Sequence, residues 1–204
     1  MDRSRAALTS QDWIKAGFLR LTHQGISGLK AEVLAQDLAA TKGSFYWHFK
    51  DVPSFRAAML ALWRDEATAA IIDAVNAAAP DGQGRLLALI EIIASLSASN
   101  EYGGVHVEPA IRDWARLDPT VSNAVRHVDE ERIAFVSSLF QQCGSDTDTA
   151  RERAALFYAG FVGLQALASV SPTDNRVRLR ALLCLLQENP QVPVVSEPRP
   201  ASAP

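Results

Sequence analysis

Apolar positions along this chain recur at helical spacing, and no stretch shows the strict alternation of a strand. Trp13, Ile14, Phe18 and Leu21 fall on one stripe, and Thr9-x-x-Asp12 ahead of them is a variant of the capping box that starts a helix. Gly25 and Gly28 supply a stop and a turn. Leu34, Ala35 and Leu38 mark a short second helix buried on one side, after which Ala39 and Ala40 lead to Thr41, whose hydroxyl can cap a third. A short helix meeting another across a tight turn is the helix-turn-helix arrangement. The first 50 residues therefore predict a compact three-helix unit.

Further on, Asp51 and Pro53 resemble an N-cap and first-turn proline, and an apolar pattern runs over residues 55–79 as one helix that joins head to body and ends at Pro80-Asp81-Gly82. Helices are expected over 86–99, 108–117, 121–142 and 150–170, with breaks at Gly103-Gly104, Asp118-Pro119 and Gly144. Ala155, Ala159 and Gly163 repeat every four residues with Gly160 beside them, a strip that lets another backbone come close. Leu179, Leu182, Leu183, Leu185 and Leu186 give the last helix a broad apolar face. The expected fold is all-α, with a helix-turn-helix head over 1–51, a larger helical body over 52–188, and a disordered proline-rich tail over 189–204.

The third helix concentrates unusual chemistry. At about 100° per residue, Phe45 and Phe49 share one face, while Tyr46, Lys50, Gly43, Trp47 and Ser44 fall on the far side. An ordinary amphipathic helix carries flexible charges there. A helix entering a DNA groove needs groups that reach base edges and cations that meet phosphates. Packing readings stand beside this one: Trp47 as a contact to another helix, His48 as a bridge between neighbours, and Lys42 and Lys50 as solvated surface lysines.

Leu34-Ala35 together with Thr41-Lys42-Gly43-Ser44-Phe45-Tyr46-Trp47-His48-Phe49-Lys50-Asp51 resembles the signature of the TetR family of bacterial transcriptional regulators. Residues 108–119, with Val128-Asp129-Glu130-Glu131-Arg132, are similar to the effector domain of one subgroup. The resemblance implies a ligand-responsive repressor that binds palindromic operator DNA as a homodimer through its last two helices. It implies that Tyr46, His48 and Lys50 hold the DNA backbone, and that Lys42, Gly43, Ser44 and Trp47 face base edges. Thr41 completes this set, and Lys30 stands where many members offer a hydroxyl to a phosphate. Glu32 departs from the pattern: it occupies a place where some members carry a base-reading arginine.

Charge follows the same division. Residues 1–50 hold seven Lys/Arg against four acids, a balance of +3, and the remaining residues hold 13 against 19, a balance of −6. A cationic head on an acidic body favours binding by the head alone, falling steeply with salt as phosphate contacts release counterions. With 204 residues, 48% of them apolar, the chain can bury a sizeable core. No apolar run reaches the roughly 20 residues of a membrane span and no signal-peptide core is evident, so a cytoplasmic protein without a membrane partner is expected.

For a small-molecule effector, the body offers Trp63, Tyr102, His106, Trp114, Phe135 and Tyr158, with Leu89, Ile93, Leu139, Phe157 and Phe161 as further apolar candidates. Residues 100–107, with two glycines, read as a lip or a plain loop. No cofactor or metal is expected and no enzyme activity: His106-x-Glu108 matches half of a zinc-deaminase pattern, but its Pro-Cys-x-x-Cys partner is missing. Cys143 and Cys184 read as small buried hydrophobes. The alternative function is a helical protein-interaction module in which Tyr46 and Trp47 form a hot spot and DNA plays no part.

Overall fold

The computed structural model describes residues 8–98, 104–168 and 175–188, and among these there is no β-strand. The head comprises α1 (Ser10–Gln24), α2 (Ala31–Asp37) and α3 (Lys42–His48). Thr9 and Asp12 close a full capping box at the start of α1: the Asp12 amide donates to the Thr9 hydroxyl at 3.3 Å and the Thr9 amide donates to the Asp12 carboxylate at 2.7 Å. Gly25, at φ 64°, ends α1 and opens a short 3-10 turn.

The turn between α2 and α3 is a Schellman motif built without glycine. The Ala40 amide donates to Ala35 O at 2.8 Å and the Ala39 amide to Gln36 O at 3.1 Å. This geometry puts Ala39 at φ 48°, in the left-handed region where a Cβ is strained.

A long helix then leaves the head. Its first part, α4 (Val52–Arg64), is capped by Asp51, whose carboxylate accepts from the Ser54 amide at 2.7 Å. The periodicity predicts one uninterrupted α-helix here, but the backbone opens into a π turn over Asp65–Ala69 before α5 (Ala70–Ala78) resumes. The wider turn leaves the Ala67 carbonyl free to accept from Arg132 of a neighbouring helix at 3.0 Å, an interaction that apolar spacing does not encode.

The body continues with α6 (Gly82–Ala98), α7 (Val107–Ala115), α8 (Pro119–Gln142), α9 (Thr147–Ala168) and α10 (Asn175–Glu188). Most of these start a few residues earlier than the apolar pattern suggests. Asp81 caps the Gly84 amide at 2.9 Å, Asp118 caps Thr120 at 2.9 Å, and Asp146 caps Thr149 at 3.0 Å. Segments that read as stops are thus also starts.

Two apolar clusters organise the chain. One is centred on the head, where the rings of Trp13, Phe45, Phe49 and Phe55 pack with centroids 5.0 to 5.4 Å apart. It continues without a break into Met59 and Trp63 of α4, Ile111 and Trp114 of α7, and Val121, Val125 and Val128 of α8, so one core crosses the boundary that the sequence leads one to expect at residue 51. Gly17 makes this close approach possible, since a Cβ there would sit 2.6 Å from Phe55 Cζ and 2.8 Å from Met59 Sδ. The second cluster, in the far body, includes Leu86, Ile90, Leu139, Phe140, Phe157, Leu179 and Leu183.

The small-residue strip on α9 divides. Gly160 faces Leu182 of α10 within the chain, where a Cβ would meet it at 2.4 Å, whereas Gly163 faces open space. Both cysteines are exposed, contrary to the reading as buried hydrophobes: Cys143 caps the end of α8, and Cys184 lies beside exposed Leu185 on the outer face of α10. The proline-rich tail lies outside the described residues.

Candidate nucleic-acid interface and body cavity

The exposed face of α3 is held rigidly from behind. Phe45 and Phe49 are buried in the aromatic cluster, and Thr41 caps the helix by accepting from the Ser44 amide at 3.2 Å. Trp47 points outward and is 82% exposed, so it is not a helix contact within this chain. Tyr46 is 45% exposed, an unusual burial pattern for two adjacent large aromatics. His48 is half-buried, with its ring 6.4 Å from Trp13 and 4.9 Å from Trp47, and so bridges the core and the exposed face. A Cβ at Gly43 would meet nothing nearer than Thr41 Oγ1 at 3.7 Å. The fold does not require glycine there; a close-approaching partner would.

Lys42, Lys50 and Lys30 are all exposed, the last at the start of α2 without a side-chain cap. Lys42 is not a solitary cation. It pairs with Glu32 of α2 and lies 5.9 Å above the Tyr46 ring, and the carboxylate bond and charge raise its pKa. Glu32, the departure from the expected pattern, therefore holds Lys42. Arg20 forms a second internal pair with Asp37, fastening α1 to the end of α2.

A cavity of about 310 Å³ opens between α4 with its π turn, α5, α6, α7, α8 and α9. Trp63, Phe135 and Tyr158 line it, as do Leu89, Ile93, Phe157 and Phe161. Trp114 does not: it is buried in the head-side core because its face of α7 turns toward α1 and α8. His106 is exposed on a one-turn 3-10 segment, and Leu139 belongs to the far-body core. Tyr102 lies outside the described residues, as do the other residues of 100–103, though Gly104 touches the cavity.

The cavity's polar wall adds Arg132, Glu108 and Thr68 to the expected Tyr158. Arg132 of α8 donates from Nε to Thr68 Oγ1 at 3.1 Å and from Nη1 to Glu108 Oε1 at 3.0 Å and the Tyr158 hydroxyl at 3.1 Å. Its Nη2 donates to Ala67 O at 3.0 Å and Glu108 Oε2 at 3.3 Å. Glu108 also accepts from Arg112 at 3.0 Å and from the Trp63 indole at 3.2 Å. Tyr158 donates to Asp129 at 2.7 Å, and Arg112 chelates the same carboxylate at 2.6 and 3.1 Å. Burial and the adjoining carboxylates push the Tyr158 phenol well above its ordinary pKa, against the pull of Arg132, so it stays protonated. Burial opposes charge on Arg112, but Asp129 and Glu108 outweigh it and raise its pKa. The sequence signal for this network was present as charged pairs at helical spacing, Glu108 with Arg112 and Asp129 with Arg132.

An exposed aromatic and basic helix stands on a three-helix head, which is joined to a helical body holding a cavity lined mostly by apolar groups. The comparisons agree on the fold: it is that of the TetR-family transcriptional regulators. A transcriptional regulator from Rhodococcus sp. Rha1 superposes with a TM-score of 0.71 at 21% identity, over 91% of this chain and all of that one. A TetR-family regulator from Agrobacterium tumefaciens gives 0.72 at 18% identity, over 88% and 96% of the two chains. SmeT, the repressor of the Stenotrophomonas maltophilia multidrug efflux pump SmeDEF, gives 0.64 at 16% identity, over 95% and 98%. No family profile matches the sequence, and no curated protein does. Among the described residues no helix is long and apolar enough to cross a membrane.

Proposed function

We propose that the protein is a ligand-responsive transcriptional repressor that binds palindromic operator DNA as a homodimer in the bacterial cytoplasm. The observation that carries this reading is Trp47 and Tyr46 standing exposed among Lys42, Gly43 and Lys50 on a helix whose other face is locked into an aromatic core. Tyr46, His48, Lys50, Thr41 and Lys30 are assigned to the DNA backbone. Trp47, Ser44, Gly43 and Lys42 are assigned to base edges, with Lys42 released from Glu32 on binding.

Dimerisation is assigned to the outer faces of α9 and α10. Leu156 and Leu167 of α9, with Gly163 between them, and Val177 and Leu185 of α10 are exposed at helical spacing, which leaves two adjoining apolar stripes for a second copy. Two heads fixed in this way read half-sites about one helical turn, near 34 Å, apart.

Coupling runs along the helix that leaves the head. Phe55 and Met59 are embedded in the head core, and Trp63, Ala67 and Thr68 of the same helix line the cavity. The lever from Phe55 to Ala67 is about 18 Å long at 1.5 Å per residue. A ligand wedged in the cavity tilts this lever and changes the spacing of the heads. DNA and ligand then weaken each other's binding by the same factor. The alternative reading as a protein-interaction module gains no observation of its own.

The test is retention on DNA–cellulose at low salt with elution as salt rises. A Tyr46→Ala, Lys50→Ala variant is expected to elute at clearly lower salt. Failure of the parent to bind, or elution of both at one salt concentration, would remove the DNA half of the proposal.

A further inference from the structure

The cavity wall carries enough chemistry to say what it admits. Three of its described lining residues are charged, Glu66, Glu108 and Arg132. A guanidinium has five N–H donors, and all five of Arg132 already meet acceptors. Both Glu108 oxygens are likewise engaged, by Arg112, Arg132 and Trp63. The Tyr158 hydroxyl spends its proton on Asp129 and accepts from both arginines. Glu66 is exposed and leaves the rim negative. Among the described lining residues an anion meets no open cation: to recruit Arg132 it must displace Glu108, leaving a buried carboxylate short of partners.

One side chain on the same wall carries an unpaired acceptor. Gln165 Oε1, on α9, is covered in this side-chain position and has no hydrogen-bond partner, so a donor in the cavity reaches it once the amide turns inward. Most of the other lining groups are aromatic or aliphatic, Phe161 and Leu96 among them. Resting on the reading of this cavity as the effector site, we infer that it takes an uncharged aromatic or alicyclic molecule bearing a hydrogen-bond donor, accepted by Gln165, and that it rejects anions of the same shape.

N-phenyl-1-naphthylamine and 8-anilino-1-naphthalenesulfonate share one frame, fluoresce in apolar surroundings and differ by a sulfonate. With the full chain, the neutral probe is expected to bind and the sulfonate to bind roughly a hundredfold more weakly. Leu96→Trp, a substitution on a partly exposed part of the wall, should abolish the neutral signal and so mark it as cavity binding. Gln165→Leu removes the amide with its unpaired acceptor and should weaken the neutral probe by about threefold to tenfold. A Leu96→Trp-sensitive signal from the sulfonate equal to that of the amine, or an unchanged affinity in Gln165→Leu, overturns the inference and leaves the effector reading standing. Absence of any Leu96→Trp-sensitive signal overturns both, while retention on DNA–cellulose still reports separately on the DNA half.

Discussion

Replacing Arg132 with methionine isolates the contact that ties the π turn to α8. The guanidinium side chain is 12% exposed and its partner Glu108 8%, so solvent screens the pair little. Methionine approximates the volume of the aliphatic stem but deletes the charge, all five donors and the guanidinium's place 5.5 Å over the Trp63 ring. Glu108 retains Arg112 and the Trp63 indole, while Thr68 and the Ala67 carbonyl each lose a donor. Breaking one side of a buried pair costs about 3 to 5 kcal/mol, and the surviving Arg112 places this case near 3. For a chain of this length that corresponds to a fall in Tm of roughly 6 to 12 °C. Arg126→Ala is the control: its pair with Glu130 is 57% and 59% exposed and should be worth no more than about 0.5 kcal/mol. Thermal melts followed by circular dichroism, with urea titrations for the free energy, measure both. A double variant with Glu108→Gln should lose less than the two single losses combined, because neutralising Glu108 removes the stranded charge. A loss below about 1 kcal/mol for Arg132→Met would refute the claim that this network holds the cavity wall together.

Gly17→Ala should destabilise by about 1 to 3 kcal/mol because its methyl would meet Phe55 and Met59, and Ala39→Gly should stabilise by up to about 1 kcal/mol by relieving the left-handed strain; urea unfolding measures both, and a neutral Gly17→Ala would contradict the close approach of α1 and α4. The acid side of the stability curve follows from carboxylates held below their ordinary pKa: Asp12 first by the Thr9 backbone and hydroxyl, Asp37 first by its bond to Arg20. Their contribution is full above pH about 4 and is lost as pH falls further, so the head should loosen below that point, with Asp37→Asn flattening the slope in tryptophan fluorescence. Trp47→Ala should change which sequences are preferred, whereas Lys50→Ala should weaken binding to all sequences alike and reduce the salt slope by about 1, as read by mobility shift at several salt concentrations.

The head was legible because its signals are local. Thr41 and Ser44 are three residues apart and their capping bond depends on little else, and Phe45 and Phe49 share a face by helical geometry alone. The outward aim of Trp47 followed from the same geometry. The body was legible as helices and much less so as a site. Arg132 meets Thr68 64 positions away and Glu108 24 away, distances over which periodicity says nothing. Aromatic content named Trp63, Phe135 and Tyr158 as cavity residues but also Trp114, because a large buried ring looks the same in sequence whether it lines a space or fills one. The π turn was hidden for a related reason: it is stabilised by a donor from another helix. The α9 strip combined both cases, one glycine meeting Leu182 and the next facing outward.

The most direct test of the account is selection of bound DNA from a random library by the full-length protein. The account predicts an enriched palindrome whose half-sites lie about one helical turn apart, with base preferences that shift in Trp47→Ala and persist in Lys50→Ala. Recovery of no common sequence, or of a single unpaired half-site indifferent to Trp47, would contradict it.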